Sequence, residues 1–193
     1  THLYHNVDIT IVGGGLNGLI AAKSLIDTKY IVLLIDFDDQ LGGILNNSNK
    51  VQSVNNQTPM DWISETVKEI ENSKNIKILK NTLVTTYNYI NHLIAVEDKF
   101  VGSRPLKDKV NSTLHKIRTD QVILCNGHIE RFLSFQNNDL PGIMLCSSFE
   151  KYMCRYGVIP SKETVVFSNN SNSESLVFSL IKKGFKPKAY IDS

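Results

Sequence analysis

Residues 11–19 read IVGGGLNGL. An apolar, β-branched run breaks into three glycines and then resumes at helical spacing. Upstream, VDITIV (7–12) predicts a buried parallel strand. Downstream, Leu16, Leu19, Ile20, Leu25 and Ile26 predict a helix to about residue 26. YIVLLI (30–35) predicts a second apolar strand, ending at Asp36. Strand, helix and strand in this order call for a right-handed crossover between parallel neighbours.

Gly13, Gly15 and Gly18 stand in the spacing G-x-G-x-x-G, between the strand and the helix, as a dinucleotide-binding turn requires. Each position has its own reason. Gly13 permits the tight turn, Gly15 removes a Cβ so that a pyrophosphate can reach the backbone, and Gly18 lets the helix pack close to the strand. The helix start then offers unpaired N–H groups and a partial positive charge to phosphate oxygens. Asp36 lies where a carboxylate can accept hydrogen bonds from the ribose hydroxyls, and it would repel a 2′-phosphate. That favours NAD or FAD over NADP. The competing reading is a glycine turn with no ligand.

Two further glycine sites fit the same picture. Leu41-Gly42-Gly43 follows the second strand and can wrap the far side of a pyrophosphate, or be an ordinary loop. In QVILCNG (121–127), Gly127 ends a strand where the chain could pass the dinucleotide, or simply turn. Cys125 reads as a small core residue, since no partner base is evident. His115 and His128 read as exposed or hydrogen-bonded structural histidines. Glu130 and Arg131 suggest an ion pair. No Ser/His/Asp set, carboxylate pair or metal-ligand cluster stands out.

The remaining elements follow from turn and cap signals. Residues 42–57 are polar and asparagine-rich and read as a loop. Thr58-Pro59-Met60-Asp61 opens a helix running to about residue 73, with Trp62, Ile63, Val67 and Ile70 on its buried side. Strands are expected at 76–79, 83–89, 93–97, 115–118 and 121–125, with a turn near Asn91 and a charged loop over 100–112. A helix at 148–156, a strand at 165–167, the polar loop SNNSNSES (168–175), a helix at 176–183 and a strand at 189–192 complete the chain. The fold class is therefore α/β: a Rossmann-like FAD/NAD(P)-binding fold with a parallel sheet, a small antiparallel insertion at about 80–120, and the start of a second α/β unit. The domain limits expected are 1–160 and 161–193. SNNSNSES lacks a G-x-G-x-x-G, so no second dinucleotide site is expected there.

Composition narrows the class further. The 193 residues are 41% hydrophobic and 21% charged, with a formal net charge of +2, which makes no case for nucleic acid or a membrane surface. The lysines near 182–188 read as a solvated helix end. Three cysteines without C-x-x-C spacing argue against a disulfide framework, a zinc site and a dithiol centre. Reduced thiols point to the cytoplasm. No apolar run reaches the length of a membrane span. THLYHNV lacks the pattern of a signal peptide and reads as a cut through a longer chain.

Taken together, VDITIVGGGLNGLIAAKSL, LLIDFDDQLGG, RTDQVILCNGHIERFLSFQNNDLPGIML and YMCRYGVIPSKETVVFSNN resemble the α subunits of heterotetrameric sarcosine oxidases. The last two stretches are the most specific, and the resemblance covers essentially the whole chain. It extends to the α subunits of opine and proline dehydrogenases and to hydrogen cyanide synthase. It implies the two-dinucleotide-domain fold of the disulfide reductases and assembly with β, γ and δ subunits. It also implies NAD on the α subunit, FAD on the β subunit, FMN at their interface, and one-carbon transfer to tetrahydrofolate by a distant domain. Position by position, it implies that Gly13, Gly15, Asn17 and Gly18 form the pyrophosphate turn. Asp36, Phe37 and Asp38 fall at the ribose and adenine end, Gly43 and Ile44 at a second phosphate-side loop, and Leu83 and Val84 on a strand passing the adenine. The chain departs from the common pattern at Leu16-Asn17, at Cys125-Asn126 and at Phe132, but keeps every fingerprint glycine and Asp36. The rival readings are an FAD-binding α subunit of a related proline or opine dehydrogenase, and a non-catalytic assembly scaffold. A thioredoxin-reductase-like enzyme fits worst, because Cys146-Ser147-Ser148-Phe149 holds no second cysteine.

Overall fold

The computed structural model describes residues 1–47, 51, 53–98, 112–161, 163–169 and 173–192. The expected charged loop at 100–112 and the middle of SNNSNSES fall largely outside them. By compactness the chain forms two units, one of residues 1–43 with 61–127 and one of residues 44–60 with 128–193, rather than dividing at 160.

The first unit is built on β1 (His2–Val12), α1 (Leu16–Ser24) and β2 (Val32–Ile35). Then come α2 (Ile44–Asn47), which belongs to the second unit, and α3 (Pro59–Asn72). β3 (Ile76–Leu79), β4 (Thr82–Asn88), β5 (His92–Asp98) and β6 (Ser112–Leu124) finish the sheet. Its six strands lie in the order β3-β2-β1-β6-β5-β4. β3, β2, β1 and β6 are mutually parallel, and β6-β5-β4 is an antiparallel meander. All four residues of β2 are buried, as a central parallel strand with cover on both faces demands.

Sequence signals and structure part company at two places in this unit and at one in the second. β1 begins at His2, not Val7, because its outer half pairs with β6 from His2↔Leu114 to Val7↔Thr119. The two strands expected at 115–118 and 121–125 are one strand, β6, which pairs with β1 along both halves and with β5 along its first half. The polar residues Arg118 to Gln121 suggest a break, but Thr119 stitches it closed: its hydroxyl donates to the carbonyls of Asp8 (3.2 Å) and Gln121 (2.9 Å). The loop expected at 42–57 contains the single-turn helix α2 and a Val54–Gln57 bridge.

The meander curls over one face of the parallel strands. Leu33 and Ile35 of β2 pack there with Leu93 and Ala95 of β5 and Ile117 of β6. Each large aliphatic side chain so buried contributes about 1.5–3 kcal/mol. α1 and α3 are linked by the Lys23–Glu69 ion pair at 2.7 Å, and α3 buries Trp62, Ile63, Thr66 and Ile70 along one stripe. The Asn75 amide donates to the carbonyls of Leu25 and Tyr30, each at 2.9 Å, so one side chain ties the entry to β3 to the exit from α1.

The second unit contains α4 (Cys146–Arg155), β7 (Val165–Ser168), α5 (Glu174–Lys182) and β8 (Ala189–Asp192). β7 and β8 form a two-stranded parallel sheet joined through α5. Phe149 and Met153 of α4 pack with Leu176 and Leu180 of α5 in its core. Among the described residues no helix is long and apolar enough to cross a membrane.

Candidate dinucleotide site

The site is the junction where β1, β2 and β6 end together. Gly13 follows β1 with φ +103, a conformation that favours glycine. Its N–H donates to the carbonyl of Ile35 at 2.8 Å. A Cβ added there would sit 2.3 Å from the carbonyl oxygen of Cys125. Cys125 is itself fixed by donating its N–H to Val12 at 2.7 Å. The small side chain and main-chain path of Cys125 thus form the wall against which the turn closes, and burial raises the pKa of its thiol. This is the environment of a packing residue.

Gly18 shows the second constraint. A Cβ on it would lie 1.8 Å from the carbonyl oxygen of Gly13, so α1 can approach the turn only with glycine there. Gly15 is different. It is the N-cap of α1, and the nearest atom to an added Cβ is Gly43 Cα at 4.0 Å. No side chain caps this end of α1, and its first turn holds no acid. The N-terminal turn therefore has no side-chain cap on its N–H donors, which suits a phosphate group. Asn17 is exposed on that turn.

Sequence reasoning passed over the middle glycine. Gly14 donates its N–H to the Asp36 carboxylate, and a Cβ on it would meet Leu41 Cδ2 at 2.4 Å. Its carbonyl accepts the N–H of Gly42 at 2.8 Å. So the loop after β2 is laid along the turn, with Gly43, at φ +55, directly over Gly15. The signal is in the sequence: of the three consecutive glycines the fingerprint uses Gly13 and Gly15, which leaves the glycine between them to be explained.

Asp36 is 8% exposed and accepts main-chain N–H groups on both oxygens, from Gly14 on Oδ2 and from Asp38 on Oδ1 at 2.7 Å. Its first role is to hold the turn and its own loop in register. Ribose hydroxyls would have to use the remaining lone pairs. Phe37 is exposed beside it. The Asp36 carbonyl accepts the N–H of Thr82 at 2.8 Å, and that of Asp38 accepts Asn81 at 3.0 Å. These bonds bring the start of β4, with Leu83 and Val84, to the end of β2. Leu83 is 57% exposed, while Val84 packs on the core.

Two residues lie apart from this assembly. Gly127 has φ +68, is exposed, and would meet nothing within 4 Å if given a Cβ, so its turn rather than a close approach explains the glycine. Ile44 opens α2 and belongs to the second unit. The Glu130–Arg131 pairing is replaced by another contact. Glu130 accepts the N–H of Ser147 at 2.8 Å, an acid at the start of α4 where the helix dipole favours it. Among the described residues, no three His, Cys, Asp or Glu side chains are placed to hold a metal ion.

A mostly parallel sheet with this turn at its carboxyl edge defines a Rossmann-like nucleotide-binding fold. Residues 11–78 match the family described as the NAD(P)-binding Rossmann-like domain. Over 95% of its length the chain is similar to sarcosine oxidase subunit α of Corynebacterium sp. (strain P-1), at 31% identity, and covers 19% of that protein. Sarcosine oxidase subunit α of Rhizobium meliloti (strain 1021) is 28% identical over 96% of the chain, again 19% of the relative. The chain thus spans about a fifth of the length of the curated relatives it matches. L-proline dehydrogenase from P. horikoshii shares the fold at TM-score 0.77 and 24% identity, with all of this chain aligned to 36% of that one.

Proposed function

We propose that the chain is the NAD-binding portion of the α subunit of a multi-subunit sarcosine oxidase. The observation that carries the reading is the similarity to sarcosine oxidase α subunits over 95% of the chain, glycine turn included. The residues present fit the cofactor. The open side of Gly15 and the uncapped start of α1 would take the pyrophosphate. Asp36 would hold the adenosine ribose, with Phe37, Asp38, Leu83 and Val84 around the adenine. Gly43 would close over the phosphates, with Asn17 at the rim and Gly127 beyond the end of β6. A carboxylate at the ribose position disfavours a 2′-phosphate, which argues against NADP.

In this reading the chain binds and positions. The nicotinamide or flavin ring supplies two-electron redox chemistry when bound, and no side chain at this turn has to move a proton. Oxidation of sarcosine to glycine, with oxygen as acceptor, belongs to the β subunit's FAD and an interface FMN. One-carbon transfer to tetrahydrofolate belongs to another domain of α. The γ and δ subunits complete the assembly, which works in the cytoplasm, where the free thiols of Cys125, Cys146 and Cys154 stay reduced.

Calorimetric titration of the purified protein with NAD and with FAD, beside its visible spectrum, tests this. Saturable NAD binding to a colourless chain is the expected result. A yellow chain preferring FAD would replace it with the flavin-bearing proline or opine dehydrogenase reading. Binding of a β subunit without either nucleotide would leave a scaffold.

A further inference from the structure

Away from the glycine turn, the first unit holds a chain of three titratable side chains, His115 buried and His5 and Glu97 half-buried, that the nucleotide reading does not use. His5 Nε2 lies 2.8 Å from His115 Nδ1, and His115 Nε2 lies 3.3 Å from Glu97 Oε2. The two imidazoles are stacked, with centroids 5.1 Å apart and planes at 24°. His115 is 1% exposed. The groups come from three adjacent strands, His5 from β1, His115 from β6 and Glu97 from β5.

The backbone around them gives the chain a mechanical meaning. The inner half of β1, Ile9–Val12, is paired on both sides, with β2 and with β6. Among the described residues the outer half, His2–Val7, is paired with β6 alone. Between them the ladder skips Asp8, whose carboxylate instead accepts the N–H of Ile31 at 2.6 Å. The outer half is thus an arm attached along one edge, and His5–His115 is its side-chain fastening.

We propose that the His5–His115 pair is a proton-operated clasp that holds the outer half of β1 on β6 and releases it on acidification. With Glu97 accepting from His115 Nε2–H, His115 Nδ1 is the acceptor and His5 Nε2–H the donor. One added proton leaves this N–H···N bond in place, because the pair still has one donor and one acceptor between the rings. A second added proton puts N–H against N–H and stacks two cations. Alternation along the strands puts His5, His115 and Glu97 on one face, and the packing of Leu33 and Leu79 with Ile117 brings Lys77 of β3 to that face too. His2 of β1, Lys116 and Arg118 of β6, and His92 and Asp98 of β5 alternate to the other face. Glu71 of α3 and Lys80 line the same cavity of about 540 Å3 as Lys77 and Glu97, and pair with each other at 3.0 Å. Burial first, then the Lys77 and His115 charges, hold the pKa of His5 below its ordinary value. For a base so lowered, the pair's contribution is complete above about pH 6.5 and falls as pH drops toward the lower folded value, the N–H···N bond itself opening with the second proton.

Hydrogen–deuterium exchange of the intact protein, corrected for the intrinsic pH dependence of exchange, reads the clasp directly. Between pH 6.5 and 5.0 protection of residues 2–7 should fall by up to about tenfold per pH unit for each proton taken up, while residues 9–12 hold. His5→Gln cannot take a proton and, by turning its amide, can donate to His115 Nδ1 or accept from its N–H, so it should make protection of the arm independent of pH. Equal pH dependence in His5→Gln, an unchanged wild-type arm, or loss of both halves of β1 together would overturn the proposal. Should His5→Gln fail to fold, imidazole ¹⁵N titration of the wild type decides. Two separated protonation steps, the second coinciding with loss of arm protection, are expected; two independent, unshifted titrations would refute it.

Discussion

At the scale of single residues, the fingerprint glycines differ in what forbids a side chain. Gly18 is excluded by protein, since its Cβ would overlap the Gly13 carbonyl at 1.8 Å. At Gly15 nothing among the described residues excludes a side chain: the nearest atom is 4.0 Å away and its backbone is extended, with φ −72 and ψ −169. Two alanine substitutions should therefore separate folding from binding. Gly18→Ala sits in a helix, where alanine normally gains about 1 kcal/mol over glycine. Here the clash reverses the sign, and a loss of about 1–3 kcal/mol is expected in denaturant unfolding. Gly15→Ala should leave the unfolding midpoint within about 0.5 kcal/mol, while NAD affinity falls about tenfold or more by calorimetry, equivalent to about 1.4 kcal/mol. Unchanged NAD affinity in Gly15→Ala would remove the phosphate from this turn. Asp36 was legible as the acid after β2, but its two main-chain donors were not, since they come from residues 22 positions back and two ahead.

At the scale of elements, the β4–β5 hairpin turns through Tyr89, Ile90 and Asn91. Ile90 has φ +60 and Asn91 φ +49. Asparagine tolerates this left-handed region; a β-branched side chain does not, and the cost is about 1–2 kcal/mol. Ile90 is 72% exposed, so it recovers little by burial. Ile90→Asn should stabilise the protein by about 1 kcal/mol, raising the melting temperature by about 2–4 °C. A lower melting temperature would show that Ile90 has a partner worth the strain. The turn near Asn91 could be read from the sequence; the unbroken course of β6 could not. Its polar middle looks like a stop, and the neighbouring β1, offering a ladder on the same side before and after it, carries the strand across.

At the scale of the whole molecule, a two-stranded parallel sheet is an unusual end state, because such sheets are ordinarily covered on both faces and extended by further strands. β7 and β8 bury Val166 and Ser168 but leave Val165, Tyr190 and Ile191 exposed. Edges unpaired among the described residues, beside exposed apolar side chains, favour association between copies. The isolated chain should show a mass that rises with concentration in light scattering, and Val165→Lys should reduce that rise. A constant monomer mass at high concentration would count against it.

The strand–glycine–helix–strand order, the acid closing β2 and the α/β class were readable from residues 7–36 because they rest on local periodicity and on glycines whose reasons are steric. The same local logic placed β3, the hairpin and α4 within a few residues of their ends. Folding in three dimensions settled the rest. It ran β1 out to His2 and fused β6 into one strand, laid Gly42 along Gly14, and turned Glu130 toward α4. It also joined His5 to His115 across 110 positions. Each of these depends on a hydrogen-bonding partner distant in sequence, and a backbone or side-chain donor carries no local mark of which acceptor it will meet.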